Sequence, residues 1–300
     1  MAILAQAMVA AGFLLQVYNF IRAFLFLRSL DDDVLVGGRG KTMGVVVCVF
    51  IALFAVVYAI IFFQNFGEVT IGLILLSGAM FVTFVLLWII RLVNSVRENS
   101  MGMAAALSTV IEARDPNLKG HSRHVQRLTR ELYEVLPDSM KRDLNLTNLE
   151  YAALFHDLGK LGVPESILNK PSALTTEEWD VMLQHPQIGV QILEPVASFN
   201  EISDWIMYHH ERIDGQGYYK IPGDQIPLGA RVSAVTDVFS AIFMRRPYKD
   251  SVNYEECIAE LKRSAGTQLD PVIVEAFCSI PRAKVLGTGR DFPDTSATVD

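Results

Sequence analysis

Cysteine is scarce in this 300-residue chain, and its three copies, Cys48, Cys257 and Cys278, form no CxxC pair. Neither a disulfide framework nor a paired-cysteine site is indicated, and the thiols fit a reducing compartment. Basic residues are also in deficit, because the net charge is -7 at pH 7. We therefore expect no nucleic-acid polymer as a partner, since binding a phosphate backbone needs an excess of positive charge.

Charge is sparse in the first third of the chain, where residues 1–100 contain six Lys or Arg and five Asp or Glu. Within it, the runs 43–63 and 69–90 contain 21 and 22 residues without a single charge. As helices, both runs are long enough to cross a hydrocarbon core of about 30 Å. At these lengths, a buried helix of a soluble protein is the poorer explanation.

A third uncharged run, 2–21, includes three polar amide side chains. It could lie in the membrane interface, but we expect it to span the membrane, with Arg22 reaching the interface at its end. The sequence thus predicts a membrane segment over residues 1–93 that contains two or three transmembrane helices.

Basic residues set the orientation of these helices. The short link 64–68 has no Lys or Arg, whereas 22–41 and the end of the last run carry Arg22, Arg28, Arg39, Lys41, Arg91 and Arg97. Because basic residues remain on the cytoplasmic side, the rest of the chain after residue 91 is expected in the cytoplasm.

Residues 94–113 are predicted to form a connecting helix. Apolar residues recur there at steps of three and four, in a stripe formed by Val93, Val96, Ser100, Met103, Leu107 and Val110. The stripe fits a short coiled coil, which would make a homodimer through this helix possible. It also fits the first helix of the next domain, packing its apolar face on the core, and we expect this second arrangement.

The remainder of the chain has helical periodicity and no run of alternating strands, so it is predicted to be all-α. Thr175 and Glu178 have the spacing of a capping box at one helix start. The helical domain is expected to cover 114–280. The tail 281–300, rich in small polar residues, glycine and proline, is expected to be disordered.

Histidine is confined to one part of the chain, since all six copies lie between residues 121 and 210. Imidazole and carboxylate groups are ligands of first-row transition metals. Any one histidine on a helix is more often structural than a ligand, and His124 is treated as structural. The joint pattern nevertheless indicates a metal centre built from His121, His156, Asp157, His185, His209, His210 and Asp237.

Seven segments, in order, resemble the HD-GYP family, a branch of the HD-domain metal-dependent phosphohydrolases. They are RDPNLKGHSRHV (114–125), ALFHDLGKLGVPESIL (153–168), EEWDVMLQHPQIGVQIL (177–193), HHERIDGQGYY (209–219), IPLGARVSAVTDVFSAI (226–242), RRPYKD (245–250) and GTQLDP (266–271). The resemblance implies an all-α fold and hydrolysis of cyclic di-GMP, a bacterial second messenger.

The resemblance also implies a ligand set. One metal would be held by His121, His156, Asp157 and Asp237. Asp157 would bridge to a second metal, which would be held by His185, His209 and His210. Some members hold a third metal through a glutamate at the position of Asn117, a poorer ligand, so two divalent ions are expected here. Iron or manganese suits the donor set.

Catalytic roles are implied for Asp157 and Lys160. Two metals would activate a hydroxide that attacks phosphorus. Substrate phosphates would be held by Lys160, Arg246 and Lys249, with Lys160 facing the site one helical turn after His156.

Two positions depart from the family pattern. Tyr219 replaces the family's proline, and we expect this to loosen the loop without removing a ligand. Ser240 stands where many members carry an aspartate. Both departures concern affinity and substrate choice.

The sequence as a whole predicts a multi-pass protein of the bacterial cytoplasmic membrane, in contact with the lipid bilayer, whose cytoplasmic domain is a cyclic di-GMP phosphodiesterase. Two alternatives remain open. The first is a degenerate HD-GYP protein that signals by binding. The second is an HD phosphohydrolase acting on another cyclic dinucleotide or a nucleotide.

Overall fold

The structure, a computed structural model, describes residues 2–29, 39–63, 69–114, 119–244 and 254–289. These residues form the helices α1 (Ala2–Ser29), α2 (Arg39–Phe63), α3 (Val69–Glu112), α4 (His121–Val135), α5 (Asp138–Lys141), α6 (Leu146–Phe155), α7 (Glu165–Leu168), α8 (Thr176–Met182), α9 (His185–Leu193), α10 (Asn200–Met207), α11 (Leu228–Met244), α12 (Tyr254–Ser264), α13 (Pro271–Ser279) and α14 (Arg282–Gly287). Short 3₁₀ turns lie at Leu158–Gly162, Ala197–Phe199 and Gly223–Gln225.

The predicted all-α class is confirmed. Within the described ranges there is no β-strand, and an isolated bridge joins Ala265 to Leu269. The chain divides into two compact units, Met1–Ser100 and Met101–Asp300, which we call the N-terminal and C-terminal units.

In the N-terminal unit, α1 packs along α2 through small residues. A Cβ at Gly12 would lie 2.3 Å from the Tyr58 ring, so only glycine allows the two helices this close an approach. The buried positions include the polar side chains of Gln16 and Asn19. Large apolar side chains instead point outward, among them Leu14, Phe24, Phe81, Phe84 and Trp88.

Two helical segments, Ile3–Phe26 and Ile71–Glu112, are long and apolar enough to cross a membrane. A shorter apolar segment, Val47–Ile61, lies within α2. The uncharged runs 2–21, 43–63 and 69–90 thus all fall on helices, of which the first and third meet this criterion over the described residues.

The C-terminal unit has an apolar interior. Helix α4 packs against α6 and α11, and α10 packs against α6, α9 and α11. The fully buried side chains at these contacts include Leu128, Leu132, Leu154, Ile206, Val235, Phe239 and Phe277. The predicted capping box is confirmed at the start of α8, where Thr175 and Glu178 exchange hydrogen bonds.

The apolar stripe of the connecting helix does not pack on the core, contrary to our expectation. Met103 is 69% exposed, and Val96, Leu107 and Val110 are also exposed. The helix instead buries the neighbouring face, formed by Ala104, Ala105, Ser108 and Ile111. Small side chains allow a closer approach to the core, and this outweighs the apolar content of the stripe.

The start of the tail also differs from the sequence prediction. Residues 282–287, assigned to a disordered tail, form α14, whose Val285 is buried in the core. Lys284 pairs with Glu131 at 3.0 Å, and Arg127 donates to the carbonyl of Thr288 at 2.9 Å. Tertiary contacts therefore order a segment without periodicity of its own. Residues from 290 onward lie outside the described residues.

Candidate metal centre

The His-Asp pair lies where a helix ends. Asn145 caps the start of α6, and His156 follows its last residue. Asp157 then opens the 3₁₀ turn Leu158–Gly162, and both side chains are buried. The α-helix therefore does not continue from His156 to Lys160, as the sequence analysis assumed. The change of direction at the helix end instead aims the two side chains at different neighbours.

The first cluster joins three helices. His121 begins α4, His156 follows α6, and Asp237 lies within α11. One ligand atom from each lies within 4.8 Å of the others. The Nε2 of His121 is 3.0 Å from Oδ1 of Asp237, and the Nε2 of His156 is 3.8 Å from the same oxygen.

The second cluster contains Asp157, His185, His209 and His210, whose ligand atoms also lie within 4.8 Å of one another. The Nε2 of His185 is 3.5 Å from Oδ1 of Asp157. The other oxygen, Oδ2, is 3.3 Å from Nε2 of His156 in the first cluster. Asp157 therefore presents one carboxylate oxygen to each cluster, which is the geometry of a bridging ligand.

A close backbone contact brings the second cluster together. A Cβ at Gly159 would lie 1.7 Å from the carbonyl oxygen of His185, and Gly189 packs against the same backbone. Only glycine at position 159 lets the turn after Asp157 contact the start of α9.

Hydrogen bonds at Nδ1 orient three of the imidazoles. The Nδ1 atoms of His156, His185 and His209 lie 2.8, 2.8 and 2.6 Å from the carbonyl oxygens of Ala153, Met182 and Ile206. Because a carbonyl only accepts, each Nδ1 carries a proton, and in the neutral form of the ring each Nε2 keeps its lone pair. Among the described residues, these three Nε2 atoms are buried without a hydrogen-bond partner, as expected for nitrogen atoms reserved for a metal.

His121 is oriented differently, because its Nδ1 lies 2.9 Å from the side-chain oxygen of Ser240. Ser240 is fully buried, and its Oγ is also 2.9 Å from Nδ1 of His124. His124 itself packs against the rings of Phe239 and Phe243 and is in neither ligand cluster.

The electrostatics keep most of these groups in their ligating forms. Burial acts to raise the pKa of Asp157, but Lys160 and His156 hold it well below its usual range. Burial lowers the pKa of His210 to about 3 and that of His209 well below its ordinary value. Burial also acts to lower the pKa of His156, but the Asp157 carboxylate outweighs it and raises this pKa to about 9. A cation beside Asp157 would replace that proton.

Lys160 contacts the centre directly, with its Nζ 2.6 Å from Oδ2 of Asp157. Lys160 follows Asp157 by three residues and lies on the 3₁₀ turn Leu158–Gly162. It does not lie on an α-helical turn after His156, as the sequence suggested. Arg114 steadies the 3₁₀ turn by donating to the carbonyl of Leu161 at 2.7 Å. The other two predicted phosphate ligands, Arg246 and Lys249, lie outside the described residues, as does Asn117.

Tyr218 was missed by the sequence analysis, although it lies in the segment quoted there. Its ring centroid is 4.5 Å from that of His210 and 6.1 Å from that of His185. Burial raises the pKa of Tyr218 to about 12, and the carboxylates of Asp157 and Asp237 act in the same direction. The phenol therefore stays protonated at neutral pH and offers a hydrogen-bond donor at the edge of the centre.

Glu211 was also missed, and it changes the interpretation of Tyr219. The buried carboxylate accepts hydrogen bonds from the backbone amides of Tyr219 at 2.5 Å and Ile221 at 3.1 Å. A Cβ at Gly217 would lie 2.6 Å from Cα of Glu211, so glycine is needed for this turn. Since proline has no N–H, the expectation that Tyr219 loosens the loop is wrong.

A third missed residue holds the start of α4. Glu112 Oε2 accepts from the amide of Gly120 at 2.8 Å, and its Oε1 accepts from the amide of Ser122 at 2.9 Å. Gly120 has a φ of 81° and no side chain, so it cannot cap the helix itself. Glu112 thus fixes the backbone on both sides of His121.

A cavity of about 210 Å³ opens beside the second cluster. Its polar lining includes His209, His210, Asp237, Arg212, Gln216, Tyr218 and Gln268. Ligand pockets usually measure about 300–1,000 Å³, so this cavity accommodates part of a ligand with hydrogen-bonding edges.

Several curated proteins are similar to this chain in sequence. The chain is 37% identical to a probable cyclic di-GMP phosphodiesterase of Vibrio cholerae over 208 residues, which are 65% of this chain and 47% of that protein. It is 35% identical to a cyclic di-GMP phosphodiesterase of Thermotoga maritima, over 59% of this chain and 48% of that protein. It is 32% identical to a 3'3'-cGAMP-specific phosphodiesterase of Vibrio cholerae, over 60% of this chain and 38% of that protein.

The chain spans about half or less of the length of these curated relatives. The sequence profile of the HD domain matches residues 105–273, more than half of the chain, and includes all the proposed ligands. As the resemblance predicted, the chain belongs to the HD domain family.

Proposed function

We propose that the protein is a membrane-anchored phosphodiesterase of the HD-GYP type that hydrolyses cyclic di-GMP at a dinuclear metal centre. The position of Asp157 is the main support, because its two carboxylate oxygens face different ligand clusters. The names of the relatives supply the substrate.

The donor set fits two divalent ions. His121, His156 and Asp237 would hold one ion, Asp157 would bridge, and His185, His209 and His210 would hold the other. The buried Nε2 atoms of His156, His185 and His209, which have no hydrogen-bond partner in the described part of the chain, support this assignment, because an unsatisfied buried nitrogen is costly unless a ligand fills the site. The mixture of imidazole and carboxylate favours iron or manganese.

When bound, two such ions would activate water as the nucleophile and neutralise charge on the phosphoryl oxygens. The protein's own groups would position the phosphodiester between the ions and the cavity. Lys160, now paired with Asp157, would also contact a phosphate oxygen, and Arg246 and Lys249 would hold the substrate phosphates. Tyr218 would donate a hydrogen bond from its protonated phenol.

A second substrate deserves a direct comparison, because one relative is named as specific for 3'3'-cGAMP. A degenerate protein that only binds its ligand is the other alternative, and the complete ligand set argues against it.

The test is turnover by the full chain, purified in detergent and reconstituted anaerobically with Fe²⁺ or Mn²⁺. We expect metal-dependent hydrolysis of cyclic di-GMP to exceed that of 3'3'-cGAMP. Faster hydrolysis of 3'3'-cGAMP would make that dinucleotide the proposed substrate. Binding without hydrolysis, with either Fe²⁺ or Mn²⁺, would support the degenerate alternative.

The lipid bilayer is the proposed partner of the N-terminal unit. Outward-facing side chains such as Phe81 and Phe84 would contact lipid tails, while Gln16 and Asn19 stay inside the helix packing. The basic residues that flank the spans support a cytoplasmic position for the C-terminal unit, at the inner membrane of a bacterial cell.

A homodimer through the connecting helix is supported by the exposed stripe of Val96, Met103, Leu107 and Val110. Leu107→Glu should convert a dimer to a monomer, measured as the mass of the protein in detergent by light scattering. Thr109→Glu adds the same charge beside the stripe and should leave the dimer intact. A wild-type monomer would contradict the proposal.

A further inference from the structure

His121 differs from the other oriented ligands in the chemistry of its Nδ1 partner. A backbone carbonyl, the partner of His156, His185 and His209, can only accept a hydrogen bond. The Ser240 hydroxyl, the partner of His121, can either donate or accept. The serine alone therefore does not decide which nitrogen of His121 carries the proton.

The choice matters because Asp237 favours the wrong tautomer. Its Oδ1 is 3.0 Å from Nε2 of His121, where it would accept a hydrogen bond from an Nε2–H. A proton on Nε2 would block that nitrogen as a metal ligand. An opposing interaction at Nδ1 is needed to keep Nε2 free.

His124 can supply that interaction through Ser240 when its own proton is on Nε2 and its Nδ1 accepts. The Nδ1 of His124 is 2.9 Å from the same Oγ, and both residues are buried. If the hydroxyl donates to His124, its oxygen is left to accept from Nδ1–H of His121. The sulfur of Met244, 3.6 Å from Oγ, is a weaker acceptor and competes poorly.

We propose that Ser240 and His124 are positioning residues, which hold His121 with its proton on Nδ1 and its Nε2 free to bind the first metal. The inference rests on the proposed dinuclear centre. It gives a role to His124, which is outside both clusters, and to Ser240, a departure from the family pattern. The ion held by His121, His156 and Asp237 should depend on this pair, and the other ion should not.

The test uses the full chain in detergent, stripped of metal and titrated with Mn²⁺, with free Mn²⁺ followed by its paramagnetic resonance signal. We expect two ions per wild-type chain. Ser240→Ala should lower the affinity for one Mn²⁺ ion by about 10–100-fold, the usual effect of losing the hydrogen-bond partner of a metal ligand. The affinity for the other ion should not change.

Ser233→Ala is the matched control. Ser233 lies on the same helix, is buried, and its hydroxyl has no hydrogen-bond partner among the described residues. This variant should titrate like the wild type. If Ser240→Ala matches it, or weakens both ions equally, the proposal is overturned.

A second pair of variants avoids dependence on Ser240 and its packing. His124→Asn keeps an acceptor near the position of Nδ1, whereas His124→Leu removes it at similar volume. We expect His124→Leu to bind one Mn²⁺ ion weakly, and we expect His124→Asn to recover the affinity for that ion. Equal behaviour of the two variants would contradict the positioning role, and a wild-type chain that binds no Mn²⁺ would reject the metal centre itself.

Discussion

The N-terminal unit buries the amide side chains of Gln16 and Asn19 and exposes Phe81 and Phe84, whereas the C-terminal unit buries side chains such as Leu128. Both units are helical, so secondary structure does not separate them. The N-terminal unit is held by close helix contacts at small residues, as in membranes, and the C-terminal unit by an apolar core. The environment that each unit requires follows from which side chains point outward.

The apolar interior of the C-terminal unit also makes its buried polar groups costly. In an apolar interior, buried carboxylates and imidazoles are costly unless they are paired or bind a metal. Those of the two clusters converge on Asp157, so their cost is concentrated at one site. This concentration, more than the number of buried polar groups, sets the proposed metal site apart from the rest of the unit.

Asp157→Ala should have the largest effect. It removes the proposed bridge, so we expect both ions to be lost and turnover to fall by at least the roughly 10²–10³-fold seen when one stabilising group is removed. Metal content and cyclic di-GMP hydrolysis provide the measurements. Asp180→Ala, on the exposed face of α8, should change neither. Retention of one tightly bound ion would show that Asp157 serves a single site.

Leu128→Ala should have the next largest effect, a loss of about 2–5 kcal/mol in the free energy of unfolding, because it opens a cavity in the C-terminal core. The matching truncation in the N-terminal unit, Phe84→Ala, removes only contacts with detergent or lipid. Chemical unfolding in detergent should therefore detect little change for Phe84→Ala. Equal losses of unfolding free energy in Leu128→Ala and Phe84→Ala would contradict the view that only the C-terminal unit depends on an apolar core.

Tyr219→Pro should lower the free energy of unfolding, although by less than Leu128→Ala. The family pattern suggested the opposite, that proline would stabilise the loop. The substitution removes a hydrogen bond to a carboxylate worth about 1.5–3 kcal/mol. The stiffer proline returns about 0.4–1 kcal/mol at best, leaving a net loss of roughly 1–2 kcal/mol.

The measurement is the free energy of unfolding, together with the apparent affinity for cyclic di-GMP. Tyr219→Phe is the control, because it keeps the N–H and removes a hydroxyl that is buried without a hydrogen-bond partner among the described residues. We expect it to be as stable as the wild type. A gain in affinity for Tyr219→Pro would restore the original interpretation of a loosened loop.

The sequence was sufficient for the all-α class, because helical periodicity can be recognised without knowledge of contacts. The grouping of the proposed ligands came from seven ordered motifs, and it agrees with the two side-chain clusters. The sequence was insufficient where a backbone group is the partner. The amides of Gly120 and Tyr219 leave no trace in composition, so the roles of Glu112 and Glu211 emerged only from the fold.

Packing geometry explains two further differences. The connecting helix buries Ala104 and Ala105 in preference to its more apolar stripe, because small side chains permit close approach. Helix α14 depends on one buried residue, Val285, and periodicity cannot reveal such short elements. Hydrophobic patterning predicts burial from apolar character alone, whereas burial in the fold also depends on the size of the side chain.

The carbonyls that receive the Nδ1 hydrogen bonds of His156, His185 and His209 belong to the last turns of α6, α8 and α10. Carbonyl groups at these positions lack an intrahelical amide donor. Each histidine therefore serves as a C-terminal cap with one nitrogen while its other nitrogen faces the metal centre. Replacing His156 or His209 would leave a buried carbonyl unsatisfied, at a cost of about 1–3 kcal/mol, and replacing His185 would do the same at a partly buried carbonyl. Substitution of these histidines is thus opposed by the stability of three helix ends, whatever the site binds.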